Sequence, residues 1–139
     1  MTRKTRDVTI TVENSRDKGK TFRITEMGAE AGEEWAFRAL QALAASGVEI
    51  PENPRQMSAA KLAEMGLMAL AKAAPDTVRE LKKELMACIQ FVSPDKSVGL
   101  VPIIGDAQIE EISTRFTLQM AALELHIGFS LAALRQISG

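Results

Sequence analysis

The most apolar part of this chain lies near its C-terminal end, between Phe116 and Leu134. The segment is about as long as a membrane span, but polar residues interrupt it, and a charge near the centre of a bilayer is costly. The interrupting residues are Gln119, Glu124, His126 and Ser130. The segment therefore predicts a helix that is buried in protein and not in lipid.

Apolar residues occupy two sides of this predicted C-terminal helix. One stripe consists of Ile112, Phe116, Met120, Leu123, Ile127, Leu131 and Leu134. The second consists of Leu118, Ala122, Leu125, Phe129 and Ala132. A helix that is apolar on two sides needs cover on two sides. Either it is the central core helix of a monomer, or one side packs within the chain and the other meets a partner subunit or a client.

The rest of the pattern predicts a β-hairpin followed by helices. Val8–Val12 and Thr21–Thr25 alternate between inward and outward residues, which is typical of half-buried strands. Apolar residues then recur at helical spacing in segments bounded by Gly and Pro. The predicted helices run from the Met27-Gly28 break to about Ser46, from Ala59 to about Ala74, from Pro75 or Asp76 onward, and from Ala107 or Ile109 to about Gln136.

The connections between these helices contain several prolines and glycines. Val48–Gln56 is predicted to be a loop, and a longer connection follows the third helix, with short extended pieces at Gln90–Ser93 and Val98–Ile103. Asp106 is expected to cap the final helix, because aspartate is a preferred residue at the N-terminal end of a helix.

With 139 residues, the chain has an ordinary size for one domain. The predicted fold is α+β and mostly α, with a β-hairpin in residues 1–26. Residues 27–139 are expected to form about four helices packed as a small bundle, the last of them long. Two strands alone are marginally stable in water, so the hairpin is expected to pack on the helices or on another copy of the chain.

Composition excludes several kinds of site. One Cys excludes an internal disulfide framework, and one Cys with one His cannot complete a structural zinc site. Cys88 and His126 both lie among apolar residues. They could be a catalytic nucleophile and its base. We expect instead that Cys88 is a buried thiol and His126 a hydrogen-bonded interface histidine. The sequence contains no phosphate-binding glycine loop and no EF-hand spacing. We therefore expect neither an enzyme nor a cofactor or metal.

The residues before Met27 are rich in basic side chains, although the whole chain has a formal net charge of −1. They form either a phosphate-binding arm or a solvated hairpin, and the balanced overall charge favours the hairpin. The polar N-terminus lacks the apolar region of a signal peptide. The expected location is therefore the cytoplasm, with no nucleic-acid or membrane partner.

Two neighbouring sequence motifs resemble those of a known family. The hairpin ends in Phe22-Arg-Ile-Thr-Glu-Met27, and an acidic helix start follows with Glu34-Trp-Ala-Phe-Arg-Ala-Leu40. Together they resemble the tail assembly chaperones of long-tailed bacteriophages and prophages, over about residues 20–43. The positions that carry the resemblance are Phe22, Ile24, Trp35 and Arg38.

The resemblance implies a non-enzymatic protein that binds the long, helical tape measure protein in the host cytoplasm. Such a chaperone keeps the tape measure protein soluble and competent until tail tube subunits polymerise around it. The resemblance further implies a homo-oligomer without a cofactor, absent from the mature virion. In many of these phages a translational frameshift adds a C-terminal extension that recruits the tail tube protein, and this chain is expected to be the short form.

Client or oligomer contacts are expected on the Met-rich second helix and on the C-terminal helix. A client-binding protein needs apolar surface, and methionine suits adaptable surfaces. The candidate residues are Leu118, Met120, Leu125, Phe129, Met65 and Met68, of which Leu118 and Phe129 are expected to point outward. Two other functions stay open at this point: a structural virion component of the tail or head–tail connector, and a small DNA-binding regulator that uses the basic N-terminus.

Overall fold

A computed structural model describes residues 3–45, 47 and 58–138 of the chain, and the predicted loop Val48–Gln56 lies outside these residues. Some helical side chains, including all of those from residue 127 onward, are not described either. The helices are α1 (Ala29–Ala45), α2 (Ala59–Leu70), α3 (Pro75–Met86) and α4 (Ile112–Ser138). The strands are β1 (Thr5–Thr9), β2 (Thr21–Thr25), β3 (Ile89–Val92) and β4 (Leu100–Pro102).

The four strands form one antiparallel sheet in the order β1-β2-β3-β4. Its register places Val8 opposite Phe22, Phe22 opposite Phe91, and Phe91 opposite Val101. The N-terminal hairpin is present, but the short extended pieces after α3 pair with it and double the number of strands. The fold is therefore mixed α and β. The extended pieces predicted in the connection after α3 are strands, and β3 pairs with the second edge of β2, so residues 27–139 contribute to the sheet as well as to the helices.

The first strand is shifted from its predicted position. Its residues are Thr5–Thr9, whereas the alternating pattern predicted Val8–Val12. Ile10 still exchanges backbone hydrogen bonds with Gly19 and Lys20, at 2.8 and 2.9 Å. Beyond Ile10 the chain turns, and Gly19 adopts a φ of 88° that favours glycine. Val12 therefore lies past the sheet and is 61% exposed, so its apolar character does not mark the core.

The core lies between the sheet and the helices. Phe22 and Ile24 of β2 are completely buried, and so is Leu118 of α4. The rings of Phe22 and Phe91 pack with 5.5 Å between their centroids, in the tilted arrangement that aromatic pairs prefer. Helix α4 contacts α2, α3, β1 and β2. It therefore connects the sheet to the helices that cover it.

Pro75 separates α2 from α3, as predicted. Helix α3 begins at Pro75, where the missing N–H costs no hydrogen bond. Helix α2 ends at Leu70, earlier than the predicted Ala74. A residue that precedes proline is disfavoured in the helical conformation, and Ala74 has an extended ψ of 134°. The turn between the helices therefore takes up the residues after Leu70.

Helix α4 is capped by a residue from the hairpin turn. The backbone N–H groups of Glu110 and Glu111 donate hydrogen bonds to the Asp17 carboxylate at 2.9 to 3.2 Å. The Thr114 hydroxyl donates to the same carboxylate at 2.6 Å, and Lys20 Nζ donates to it at 2.9 Å. We call Asp17, Lys20 and Thr114, together with these two N–H groups, the Asp17 latch. It joins the hairpin turn to the start of α4.

The predicted cap of this helix, Asp106, is wrong. Asp106 is exposed and α4 begins only at Ile112, so the two N–H groups that precede the helix receive their acceptor from Asp17. Arg16 extends the latch, because its guanidinium donates to the Glu111 carboxylate at 2.9 Å and to the Glu110 carbonyl at 3.0 Å. The hydrogen bonds from Arg16 lower the pKa of Glu111.

The Asp17 side chain is completely buried, which is uncommon for a carboxylate. Burial by itself raises the pKa of Asp17, because it disfavours the charged form. The hydrogen bonds from Thr114, Lys20 and the two backbone N–H groups outweigh this effect and hold the pKa well below its usual value. The carboxylate is therefore ionised and fully paired in the folded protein.

Asp17→Asn should destabilise the fold by about 3 kcal/mol, because it removes the charge that the buried donors surround. The folded-state pKa of Asp17 is lowered, so the stabilisation is present above about pH 4 and is lost as the pH falls through the folded-state pKa. Urea unfolding monitored by circular dichroism between pH 3 and 7 should show a shallower acid dependence in the variant. Asp106→Asn is the matched control and should behave as wild type; an equal loss in both variants would contradict the latch.

Candidate functional site

The four residues that carry the family resemblance all hold the fold together. Phe22 and Ile24 are core residues of β2. The Trp35 indole N–H donates to the backbone carbonyl of Leu81 at 3.0 Å, so it ties α1 to α3. Arg38 also ties α1 to α3, because its guanidinium lies 2.7 Å from the carboxylate of Glu84. The four residues that carry the resemblance therefore have structural roles in this chain.

Cys88 lies in a cleft of about 870 Å³, which Arg3 and Glu84 also line. Its thiol donates a hydrogen bond to the Glu84 carbonyl across 3.7 Å. Burial raises the pKa of the Cys88 thiol, against a smaller lowering by the charge of Arg3. A nucleophilic cysteine needs the opposite shift. The cleft therefore holds a protonated thiol and not an activated one.

His126 lies on α4 and faces the chain that leads into α1. Its Nε2 accepts a hydrogen bond from the Met27 N–H at 2.9 Å, and its Nδ1 lies 2.7 Å from the Ala122 carbonyl. An acceptor at Nε2 and a donor at Nδ1 define the neutral tautomer. The ring thus joins α4 to the end of the hairpin, in line with the expected role of a hydrogen-bonded packing histidine.

The predicted contact residues divide into two groups in the structure. Leu118 is completely buried and Leu125 is 8% exposed, so both belong to the core, and the expectation that Leu118 points outward is wrong. Met65 and Met120 are half-buried, whereas Met68 is 68% exposed. The side chain of Phe129 lies outside the described residues. Of the six candidates, Met68 is thus the one whose described side chain is largely open to solvent.

The more extensive apolar surface lies between α3 and α4. Ile112 and Phe116 are 74% and 48% exposed, one helical turn apart on α4. Beside them runs a groove of about 580 Å³ whose floor includes Val78 and Met86 of α3. We call this surface the α3–α4 face and define it by six residues: Val78, Lys82, Met86, Ile112, Arg115 and Phe116.

Basic side chains border this apolar surface. The described residues that line the groove include four basic ones and none that is acidic; the basic residues are Arg79, Lys82, Lys83 and Arg115. Lys82 Nζ lies 5.7 Å from the centre of the Phe116 ring, within the range of a cation–π contact. The face is thus apolar along its centre and positive at its borders.

Sequence reasoning placed Ile112 and Phe116 in an apolar stripe but did not identify them as surface. Both stripes of α4 are apolar, and the one that contains Ile112 and Phe116 also contains the buried Leu123, so the spacing alone did not reveal which residues are exposed. The residue that could have indicated this is Arg115, because a charged side chain between Ile112 and Phe116 favours exposure of this side of α4 to solvent. On α3, Lys82 and Lys83 gave the same indication.

Metal sites and membrane-spanning helices are two further possibilities for the described residues. Among these residues, no group of three or more His, Cys, Asp or Glu side chains could hold a metal ion. None of the described helices combines the length and the apolar character needed to cross a membrane. Searches against protein families, curated proteins and solved structures find no match to this chain. The α3–α4 face is therefore the candidate on which a function can be argued.

Ile112→Ala and Leu118→Ala should separate surface from core on the same helix. Leu118 is completely buried, so its truncation should cost about 2–5 kcal/mol. Ile112 is mostly exposed, so its truncation should change the free energy of unfolding by less than about 0.5 kcal/mol. Urea titrations of the two variants measure both values, and equal losses would place Ile112 in the core.

Proposed function

We propose that this chain is a phage tail assembly chaperone, a non-enzymatic protein that binds the tape measure protein and keeps it soluble during tail assembly. The observation that carries the proposal is the exposure of Ile112 and Phe116 beside the groove between α3 and α4. Exposed apolar surface of this kind is typical of protein interaction sites. The resemblance of residues 20–43 to tail assembly chaperones supports the same function.

Part of the proposal concerns the helices as a unit. We propose that they work as one small bundle with a long C-terminal helix at its centre, and that homo-oligomers cover exposed apolar surface until a client arrives. The packing of α4 on both α2 and α3 supports the first statement. The exposure of Met68 on α2 supports the second, because this side chain is available to a neighbour.

The basic N-terminal region gives less support to a DNA-binding regulator. Its cations pair with acids of the same chain, which leaves less charge for phosphates. The pairs with the shortest distances are Arg23–Asp7 at 2.8 Å, Lys18–Glu13 at 2.7 Å, Lys20–Asp17 at 2.9 Å and Arg16–Glu111 at 2.9 Å. A binding protein for an apolar client explains the exposed surface better than an arm for nucleic acid.

A structural component of the virion is the second candidate function. The sheet has β1 and β4 at its two edges, and an edge strand can pair with a neighbouring subunit. Mass spectrometry of purified virions separates the two functions. A chaperone acts before the particle is complete and should be absent, whereas a structural component should be abundant.

Co-expression tests the chaperone function directly. A tape measure protein from the same genome should accumulate in the soluble fraction when the chain is present and in the pellet when it is absent. Ile112→Ser combined with Phe116→Ser should reduce the soluble amount, because the change removes the exposed apolar pair without touching the core. Val98→Ser is the matched control, since Val98 is 57% exposed on a different part of the surface.

The proposal fails if the tape measure protein is equally soluble with and without the chain. It also fails if a helix-rich tape measure protein is not encoded in the same genome. If the Val98 control and the double variant lower solubility to the same degree, the effect is general loss of apolar surface, and the α3–α4 face is not the client site.

A further inference from the structure

We infer that the α3–α4 face binds an amphipathic helix whose apolar side is flanked by acidic residues. The identification of this helix as part of a client rests on the proposed function. The shape and charge of the face itself indicate the chemistry of the occupant.

The shape of the face suits a helix. Val78, Lys82 and Met86 follow one another at every fourth position along α3, so they form a straight line on one side of that helix. All three are half-buried and contribute to the groove. A ridge of side chains at this spacing beside a groove is a surface into which another helix can pack its apolar residues.

The opposite border of the groove is formed by α4. Ile112 and Phe116 are one turn apart, and Arg115 lies on the same side of the helix. The contact between Lys82 and the Phe116 ring brings the two borders together. An incoming helix in the groove would therefore contact Val78 and Met86 of α3 and would lie close to the exposed Phe116 of α4.

The charge of the face selects among helices. Lys82 and Arg115 lie at the groove from opposite helices, and Lys83 adds a third cation on its α3 side. Arg79 is already paired with Asp76 at 3.3 Å, so it contributes less. Since the described lining residues include no acid, these cations would attract acidic residues of an occupant. A helix with an apolar stripe and with glutamate or aspartate on both sides of it complements both the apolar and the basic residues of the face.

Nucleic acid complements the chemistry of the α3–α4 face less well than a protein helix does. Phosphates would pair with the cations, but the exposed Ile112 side chain would remain in water. Ile112 gains from contact with apolar side chains, which an amphipathic helix supplies. The combination of an exposed aliphatic residue and basic borders therefore favours an acidic amphipathic helix.

A pair of synthetic helical peptides tests the inference on the full-length chain. Both peptides carry leucines at helical spacing on one side; the first has glutamates flanking them and the second has lysines. Fluorescence anisotropy should show binding of the glutamate peptide and about tenfold weaker binding of the lysine peptide. Added salt should weaken the interaction, because the charges lie at the border of the face.

Charge reversal tests whether the peptide occupies this face. Lys82→Glu combined with Arg115→Glu should reduce binding of the glutamate peptide by about tenfold or more and improve binding of the lysine peptide. Lys96→Glu is the matched control, since Lys96 is exposed in the loop between β3 and β4 and should leave both affinities unchanged. Circular dichroism checks that the three proteins have the same helix content.

Several results would overturn the inference. These are equal binding of the two peptides, an equal effect of the Lys96 control, or tighter binding of a single-stranded DNA oligonucleotide than of the glutamate peptide. A fourth is self-association through the face, seen in sedimentation as an oligomer that the charge reversal alone dissociates, because a second copy would then be the occupant.

The two proposals fail in different ways. If the peptides bind as expected but the tape measure protein is not kept soluble by the chain, the face is a helix-binding site and the chaperone function is wrong. If wild type and the charge-reversed variant keep the tape measure protein equally soluble, the chaperone function stands and the assignment of its site is wrong.

Discussion

The buried carboxylate of Asp17 is the interaction on which the rest of this structure depends. It belongs to the hairpin turn, yet three of its four donor groups, the Glu110 and Glu111 N–H groups and the Thr114 hydroxyl, lie at the start of α4, far away in the sequence. Thr114 and Leu118 lie on the buried side of α4, whereas Ile112 and Phe116, in the first turns of the same helix, stay exposed. The latch and the α3–α4 face therefore lie next to each other at the start of α4.

Local patterns predicted the parts of the fold that depend on neighbouring residues. The alternation in Thr21–Thr25 gave β2 correctly, and Pro75 marked the start of α3. The pairing of β3 with β2 was missed, because Ile89–Val92 is short and its partner lies far away in the sequence. Asp17 was missed for the same reason: a turn aspartate gives no local sign that it caps a distant helix. The α3–α4 face was predicted only in part, since the spacing showed two apolar stripes on α4 but not which of their residues are buried.

The proposed function requires a fold that is stable while part of its apolar surface stays open. In this chain, different residues complete the core and form the exposed apolar surface. Phe22, Ile24 and Leu118 complete the core, and Trp35 and Arg38 tie α1 to α3. Ile112 and Phe116 of the α3–α4 face are exposed and lie outside that core, so they are available to a partner. The positions that carry the family resemblance belong to the first group, which explains why the resemblance by itself does not locate a binding site.

Amide hydrogen exchange of the chain, alone and in complex with the tape measure protein, tests the central claim most directly. The account predicts that exchange slows in α3 and in the first turns of α4, because these segments border the groove that a client helix would occupy. Exchange in β1 and β2 should stay the same. Slowing confined to the hairpin, or no change in α3 and α4, would contradict the claim that the α3–α4 face is the client site.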